Sequence, residues 1–245
     1  MEEISLKAQQ LFNIGGFNMT NGLLLGLVVS AVLIIFAIIF RGKIKMVPGK
    51  VQGMVELAID GLLGMMESVL GTREAAEKYL PLIATIFIFI LTSNWLGLLP
   101  GVGSIVFERG GEGVPLLRSP AADLNFTLAL AVMAVLATNL FGILTIGIFS
   151  HVKKFLNFGG PIKFFVGILE FLSEISRVVS FSFRLFGNIF AGEVLLTIMF
   201  FLLPYIVPIP FLMMELFFGA IQAFIFSMLT LVFLASHTAS HETEH

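Results

Sequence analysis

The stretch "FFVGILEFLSEISRVVSFSFRLFGNIFAGEVLLTIMFFLL", residues 164–203, decides how this chain folds. It is overwhelmingly apolar and has no proline, yet it carries Glu170, Glu174, Arg177, Arg184 and Glu193. As one helix at ~1.5 Å per residue it would be about 60 Å long, twice the ~30 Å hydrocarbon core of a bilayer. A perpendicular span cannot hold it. Either the helix breaks near Gly187 and Asn188, or it stays continuous and lies far from the membrane normal. The continuous reading is favoured, because "RLFGNIFAGE" lacks loop chemistry and irregular backbone in lipid leaves hydrogen-bonding groups unsatisfied.

At 100° per residue, Ser173, Arg177, Ser180, Arg184, Gly187, Asn188 and Ala191 fall within about 60° of Arg184. This face is small and polar, so a neighbouring helix can approach it closely; ordinary packing within the chain would explain the serines and Gly187 alone. Arg184 calls for more. An arginine near the bilayer centre costs ~2.5–3.5 kcal/mol on insertion scales and usually marks a functional position. Its guanidinium does not release a proton, so it acts as a fixed positive charge awaiting a carboxylate. Glu193 lies about 180° round the helix and ~13 Å further along it, too remote to be that partner. Glu174 is equally remote. If no other span supplies a counterion, the carboxylate belongs to another subunit.

The rest of the chain has the same character. Of its 245 residues 58% are hydrophobic and 12% charged, against about 25% charged in soluble domains. Apolar runs at 22–40, 80–99, 124–150, 164–203 and 208–236 are each long enough to cross a bilayer as a helix. The expected fold is an all-α membrane protein, a single polytopic domain over 1–245 with about five crossings. The last two helices form a long, strongly tilted hairpin. The first apolar run follows an acidic "MEEISLKAQQ" that lacks the basic region of a cleaved signal peptide, so that span is expected to be retained.

Basic residues beside the spans set the orientation. Arg41, Lys43, Lys45 and Lys50 cluster in "RGKIKMVPGK", and Lys153, Lys154 and Lys163 in "HVKKFLNFGGPIK"; Arg109 and Arg118 in the 100–123 loop are offset by Glu108, Glu112 and Asp123. Five crossings then place the N-terminus outside and the C-terminus in the cytoplasm. Residues 51–71 read instead as a surface amphipathic helix, with Val51, Val55, Ile59, Leu62 and Met66 on one face and Glu56, Asp60 and Glu67 roughly 120° away. Its acidic polar face suggests docking on another protein segment; covering the membrane edge of this chain is the alternative. Trp95 suits the outer interface, Pro100 and Gly101 stop the second crossing, and Ser119 or Asp123 can cap the third.

A net charge of −2 points to no nucleic acid. No phosphate-binding glycine loop is present, so no nucleotide is expected to bind this chain. The chain has no cysteine, and no cofactor or metal is expected. His237, His241 and His245 recur every four residues, which suits a metal on a helix, but a solvated tail is the expected reading.

Glu215 and Gln222 lie seven residues apart on one face of the last segment. The hairpin around "LLPYIVPIP" can bring Glu215 beside Glu193, and two carboxyls in a low dielectric suit reversible protonation; two carboxylates snorkelling to the interface are the alternative.

"RLFGNIFAGE" followed by "IQAFIFSMLTLVFL", together with "SNWLGLLPG" and "SPAADLNFTLAL", resembles subunit a of the membrane sector of bacterial F-type ATP synthase over nearly the whole chain. The resemblance implies a proton-conducting stator subunit in the bacterial plasma membrane, not an enzyme by itself. Its partners would be a ring of c subunits, peripheral-stalk b subunits, protons and the lipid bilayer. Arg184 would match the arginine that draws a ring carboxyl into its ionised form and blocks a leak between two offset half-channels. Asn188, Glu193, Glu215 and Gln222 match channel and arginine-supporting positions, with Asn94, Asp123, Asn125 and Ser180 as weaker candidates. The family often has histidine at one of the two glutamate positions, so the order of the relay stays open here. The rival classes are an ion-coupled secondary transporter, for which no repeated halves are seen, and a passive membrane scaffold, which does not explain Arg184.

Overall fold

The computed structural model describes residues 9–14, 17–103, 105–109, 112–148, 160–203 and 205–238. A short hairpin, β1 (Gln10–Ile14) and β2 (Phe17–Thr20), leads into α1 (Asn21–Arg41), whose first turn is capped by the Thr20 hydroxyl accepting from Leu23 N–H at 3.2 Å. Helix α2 (Lys50–Leu70) turns back through Gly71, which adopts φ 79°, into α3 (Arg73–Gly97). That φ lies in the left-handed region that glycine occupies without a Cβ penalty. Strand β3 (Pro100–Gly103) follows, then a second hairpin, β4 (Val106–Arg109) with β5 (Glu112–Pro115), and a 3₁₀ turn at Pro120–Ala122. Helices α4 (Leu124–Ile146), α5 (Pro161–Leu202) and α6 (Pro208–Thr238) complete the bundle.

Among the described residues five helices, α1, α3, α4, α5 and α6, are long and apolar enough to cross a membrane. Only 17–39% of each apolar window is buried inside the chain. Ile38, Leu136, Leu144 and Phe171 all point outward. A bundle in water would turn these residues inward; here the hydrocarbon of a bilayer covers them. The protein is an all-α, multi-pass membrane protein, with the two small hairpins as additions that the sequence did not announce.

Helix α5 runs unbroken for 42 residues through Gly187 and Asn188. Its buried residues are Gly167, Glu174, Phe181, Ser182, Leu185, Ile189, Gly192 and Leu196. On a helical wheel they centre about 110° from Arg184. This packed face therefore lies between Arg184 on one flank and Glu193 on the other. Lipid tails are as apolar as leucine, so helix association rests on close fit rather than on escape from water. The core reflects that: Ala121, Ala122, Ala131, Ala134 and Ala223 let Phe181, Leu185, Ile189 and Phe226 interlock. Ser182 and Thr127 share a buried hydrogen bond of 3.1 Å between α4 and α5.

Helix α2 docks only by its C-terminal half. Leu63 and Met66 are buried against Ala76, Tyr79 and Ile83 of α3 and Leu231 and Leu234 of α6. Of the expected apolar stripe, Val51 stays 62% and Ile59 37% exposed. The tight Gly71 turn hinges α2 onto α3 at that end, so contact spreads only as far as the two helices stay close.

Candidate functional site

Asp123, and not Ser119, caps α4: its carboxylate accepts from Asn125 N–H at 2.9 Å and from the Asn125 amide at 3.2 Å. The segment before it is wedged between α1 and α3. Asn21 donates to the Pro115 carbonyl at 3.3 Å. A Cβ at Gly97 would meet the Ser119 side chain at 2.7 Å, so glycine there lets loop and helix touch. The wedge carries Arg118 inward onto α5.

There Arg118 meets Glu193. Nε donates to Oε1 at 2.9 Å and to Oε2 at 3.2 Å, and Nη2 donates to Oε2 at 3.0 Å. The Arg118 side chain is 9% exposed, the Glu193 side chain 35%. A planar fork on both carboxylate oxygens is the strong form of the ion pair. Sequence reading did not single out Arg118, since it sits 75 residues away in a loop of mixed charge.

Glu215 of α6 is brought to the same place. It is 5% exposed, and its carboxyl rests where a Gly192 side chain would be, one residue before Glu193. The two carboxyls lie close enough to interact electrostatically. Glu215 makes no hydrogen bond or ion pair among the described residues. One turn further, Asn94 of α3 donates to the Gly219 carbonyl at 3.0 Å, and Trp95 Nε1 donates to the Leu216 carbonyl at 3.1 Å. Gln222 is buried, two turns from Glu215 on α6, and donates to none of the described residues.

Arg184 is not brought to this cluster. It lies exposed on the opposite flank of α5, where Nη2 donates to Ser180 Oγ at 3.2 Å. Among the described residues no carboxylate lies within ion-pair distance of it. Ser180, Gly187 and Ala191 are exposed beside it and Asn188 is half-buried. The result is an open strip of small side chains around one cation.

Arg177, on the same stripe in the sequence, is placed differently. Its Nη1 donates to Glu174 Oε1 at 2.9 Å, Glu170 lies at 3.9 Å, and Phe233 of α6 stacks 4.2 Å beneath the guanidinium. His237 Nε2 is 2.9 Å from Glu174 Oε1, and Asn139 of α4 donates to Glu174 Oε2 at 3.4 Å. His237 is thus part of α6 and 2% exposed, a correction to the solvated-tail expectation; His241 and His245 lie outside the described residues. The ligand-type atoms of Glu170, Glu174 and His237 lie within 4.8 Å of one another, but Arg177 already supplies their positive charge.

An ordered set of motifs around an exposed intramembrane arginine invites comparison with known proteins. Residues 23–235 match the family model described as ATP synthase A chain. The chain belongs to the ATP synthase A chain family. ATP synthase subunit a of Campylobacter concisus is 40% identical over 220 residues, covering 89% of each chain. That of Campylobacter fetus subsp. fetus is 36% identical over 248 residues and the full length of both chains. Moorella thermoacetica ATP synthase subunit a is 32% identical over 199 residues, 81% of this chain and 82% of the relative. The ATP synthase family thus embraces every helix described above.

Proposed function

We propose that the chain is the proton-conducting stator subunit of a bacterial ATP synthase, sitting in the plasma membrane with its N-terminus outside and its C-terminus in the cytoplasm. Membership of the family gives the broad role, a proton-translocating membrane subunit that is not catalytic by itself. The finer mechanism rests on one observation: Arg184 is a permanent cation on an exposed strip of small residues, with no carboxylate of the described chain to neutralise it. A row of carboxyls on a rotating c ring fits that strip. Each carboxyl is ionised as it passes Arg184, and the arginine, which cannot carry a proton, blocks direct transfer between two offset half-channels.

Glu193, Glu215 and Gln222, with Asn94, line the half-channel at the end of the bundle that carries the 98–123 loop. Asn188 and Ser180 support Arg184, while Asp123 and Asn125 hold the entrance turn. A tilted α5–α6 hairpin keeps its long helices within the bilayer and against the ring. One charge crossing 100 mV releases ~2.3 kcal/mol, too little for ATP synthesis, so the ring sums several protons. The phosphoryl chemistry belongs to other subunits, and peripheral-stalk b subunits keep this one from turning with the ring.

The test is Arg184→Ala in reconstituted complexes, following proton-driven ATP synthesis. Loss of synthesis with the complex assembled is expected. Retained synthesis would remove the rotary reading and leave a scaffold or a secondary transporter.

A further inference from the structure

We propose that Arg118 is a positioning residue of the proton path: it anchors Glu193 by both carboxylate oxygens, so that Glu215 is the carboxyl that takes up and releases the proton. The inference rests on the proton-conducting reading above and assigns roles within its loop-side half-channel. The Glu215 carboxyl lies at Gly192, the neighbour of Glu193, and the environments of the two glutamates separate them.

Glu193 is gripped at both oxygens by a buried guanidinium, through three N–H···O bonds of 2.9–3.2 Å. Both oxygens of Glu193 are thus committed to a cation that keeps its own proton. Glu215 has the opposite setting. It is more deeply buried, lies against the α-carbon of Gly192, and has neither a cation nor a hydrogen-bond donor among the described residues. Of the two carboxyls it is therefore the one whose oxygens are engaged by no partner among the described residues. A proton entering from the loop side binds a Glu215 carboxylate oxygen, makes the group neutral, and leaves towards a ring carboxylate. Glu193 stays paired with Arg118 throughout.

The position of Arg118 is built rather than incidental. The Pro115 carbonyl is tied to Asn21 at 3.3 Å, Ser119 is seated on Gly97, and Asp123 caps α4. These contacts fix the segment on either side of Arg118, so its guanidinium is presented to Glu193 without the freedom of an exposed loop.

The experiment uses membrane vesicles holding the whole complex, with ATP-driven acidification and proton-driven synthesis as readouts and subunit a content measured by immunoblot. Arg118→Gln is expected to lower both rates about tenfold or more, the scale of losing a charge-assisted hydrogen-bonded pair. Arg118→Lys, which keeps the charge, is expected to retain more activity than Arg118→Gln. Arg118→Gln combined with Glu193→Gln restores a neutral matched pair and recovers activity above Arg118→Gln alone. Glu215→Gln is expected to abolish transport in every background. The inference is overturned if Arg118→Gln matches the unaltered complex, if the assembled double variant is no better than Arg118→Gln, or if Glu215→Gln still transports. Should Arg118→Gln fail to assemble, the double variant decides: transport supports the assignment, and an assembled but inactive complex refutes it. Arg184→Ala is run in parallel. Synthesis retained there refutes the proton-conducting reading itself, whereas loss there with no effect at Arg118 refutes only the present inference.

Discussion

The carboxyl of Glu215 occupies the space where any residue but glycine at position 192 would place its Cβ, so α5 and α6 approach through the smallest available contact. Gly192→Ala puts a methyl group into that carboxyl. Overpacking costs about 1–3 kcal/mol, at the lower end here because the group that must yield is the tip of the flexible Glu215 side chain. The variant is expected to assemble less well and to melt lower in detergent. Gly192→Ala with Glu215→Ala should regain thermal stability while remaining inactive in proton transport. If the double variant melts no higher than Gly192→Ala alone, the Glu215 contact is not the source of the loss.

At the other end of the hairpin, Glu174 ties Arg177 to His237 across α5 and α6. Removing one partner of a buried pair leaves an uncompensated charge and costs about 3–5 kcal/mol. Arg177→Ala, which also loses the stack on Phe233, is therefore expected to lower the melting temperature clearly. Measurement by thermal shift in detergent should rank Arg177→Ala well below any single change on the outer face of α5.

A surface arginine gives the contrast. Arg73 lies 3.2 Å from Asp60, 3.9 Å from Glu67 and 3.2 Å from Glu77, yet its side chain is 44% exposed. Solvent screening leaves such exposed pairs with little effect on stability. Arg73→Ala is expected to leave assembly and melting temperature nearly unchanged. A shift as large as that of Arg177→Ala would show that α2 depends on this network.

The docking of α2 depends instead on Met66, whose side chain is fully buried between α3 and α6. Met66→Ala is expected to cost about 2–5 kcal/mol locally and to expose the α1–α2 connection to protease. Met54→Ala, at a side chain 72% exposed, should leave the cleavage pattern as it was. Equal protection of both variants would place the anchor of α2 elsewhere.

Much of this molecule is written in local pattern. The uninterrupted apolar runs specify helices that need lipid around them, because their length and composition alone satisfy the backbone and leave no polar face for water. The opposition of Arg184 and Glu193 was equally legible, since 100° per residue is a local rotation and needs no tertiary information. The motif set around Arg184 was enough to indicate the family. Counterions were not legible. Arg118 sits in a loop 75 residues from Glu193, and His237 lies 60 residues from Arg177 in what reads as a hydrophilic tail.

Local pattern alone specified a predominantly helical, membrane-embedded chain and set Arg184 and Glu193 on opposite flanks of one long helix. Tertiary packing was needed to show that Arg118 meets Glu193, that Glu215 lies on Gly192 with no cation among the described residues, and that Arg177 is paired while Arg184 meets no carboxylate among them. The physical reason is that helical periodicity fixes which way a side chain points relative to its neighbours in the chain. Which element it points at depends on the fit of small residues such as Gly97, Ala121 and Gly192, and that fit exists only once the helices have packed.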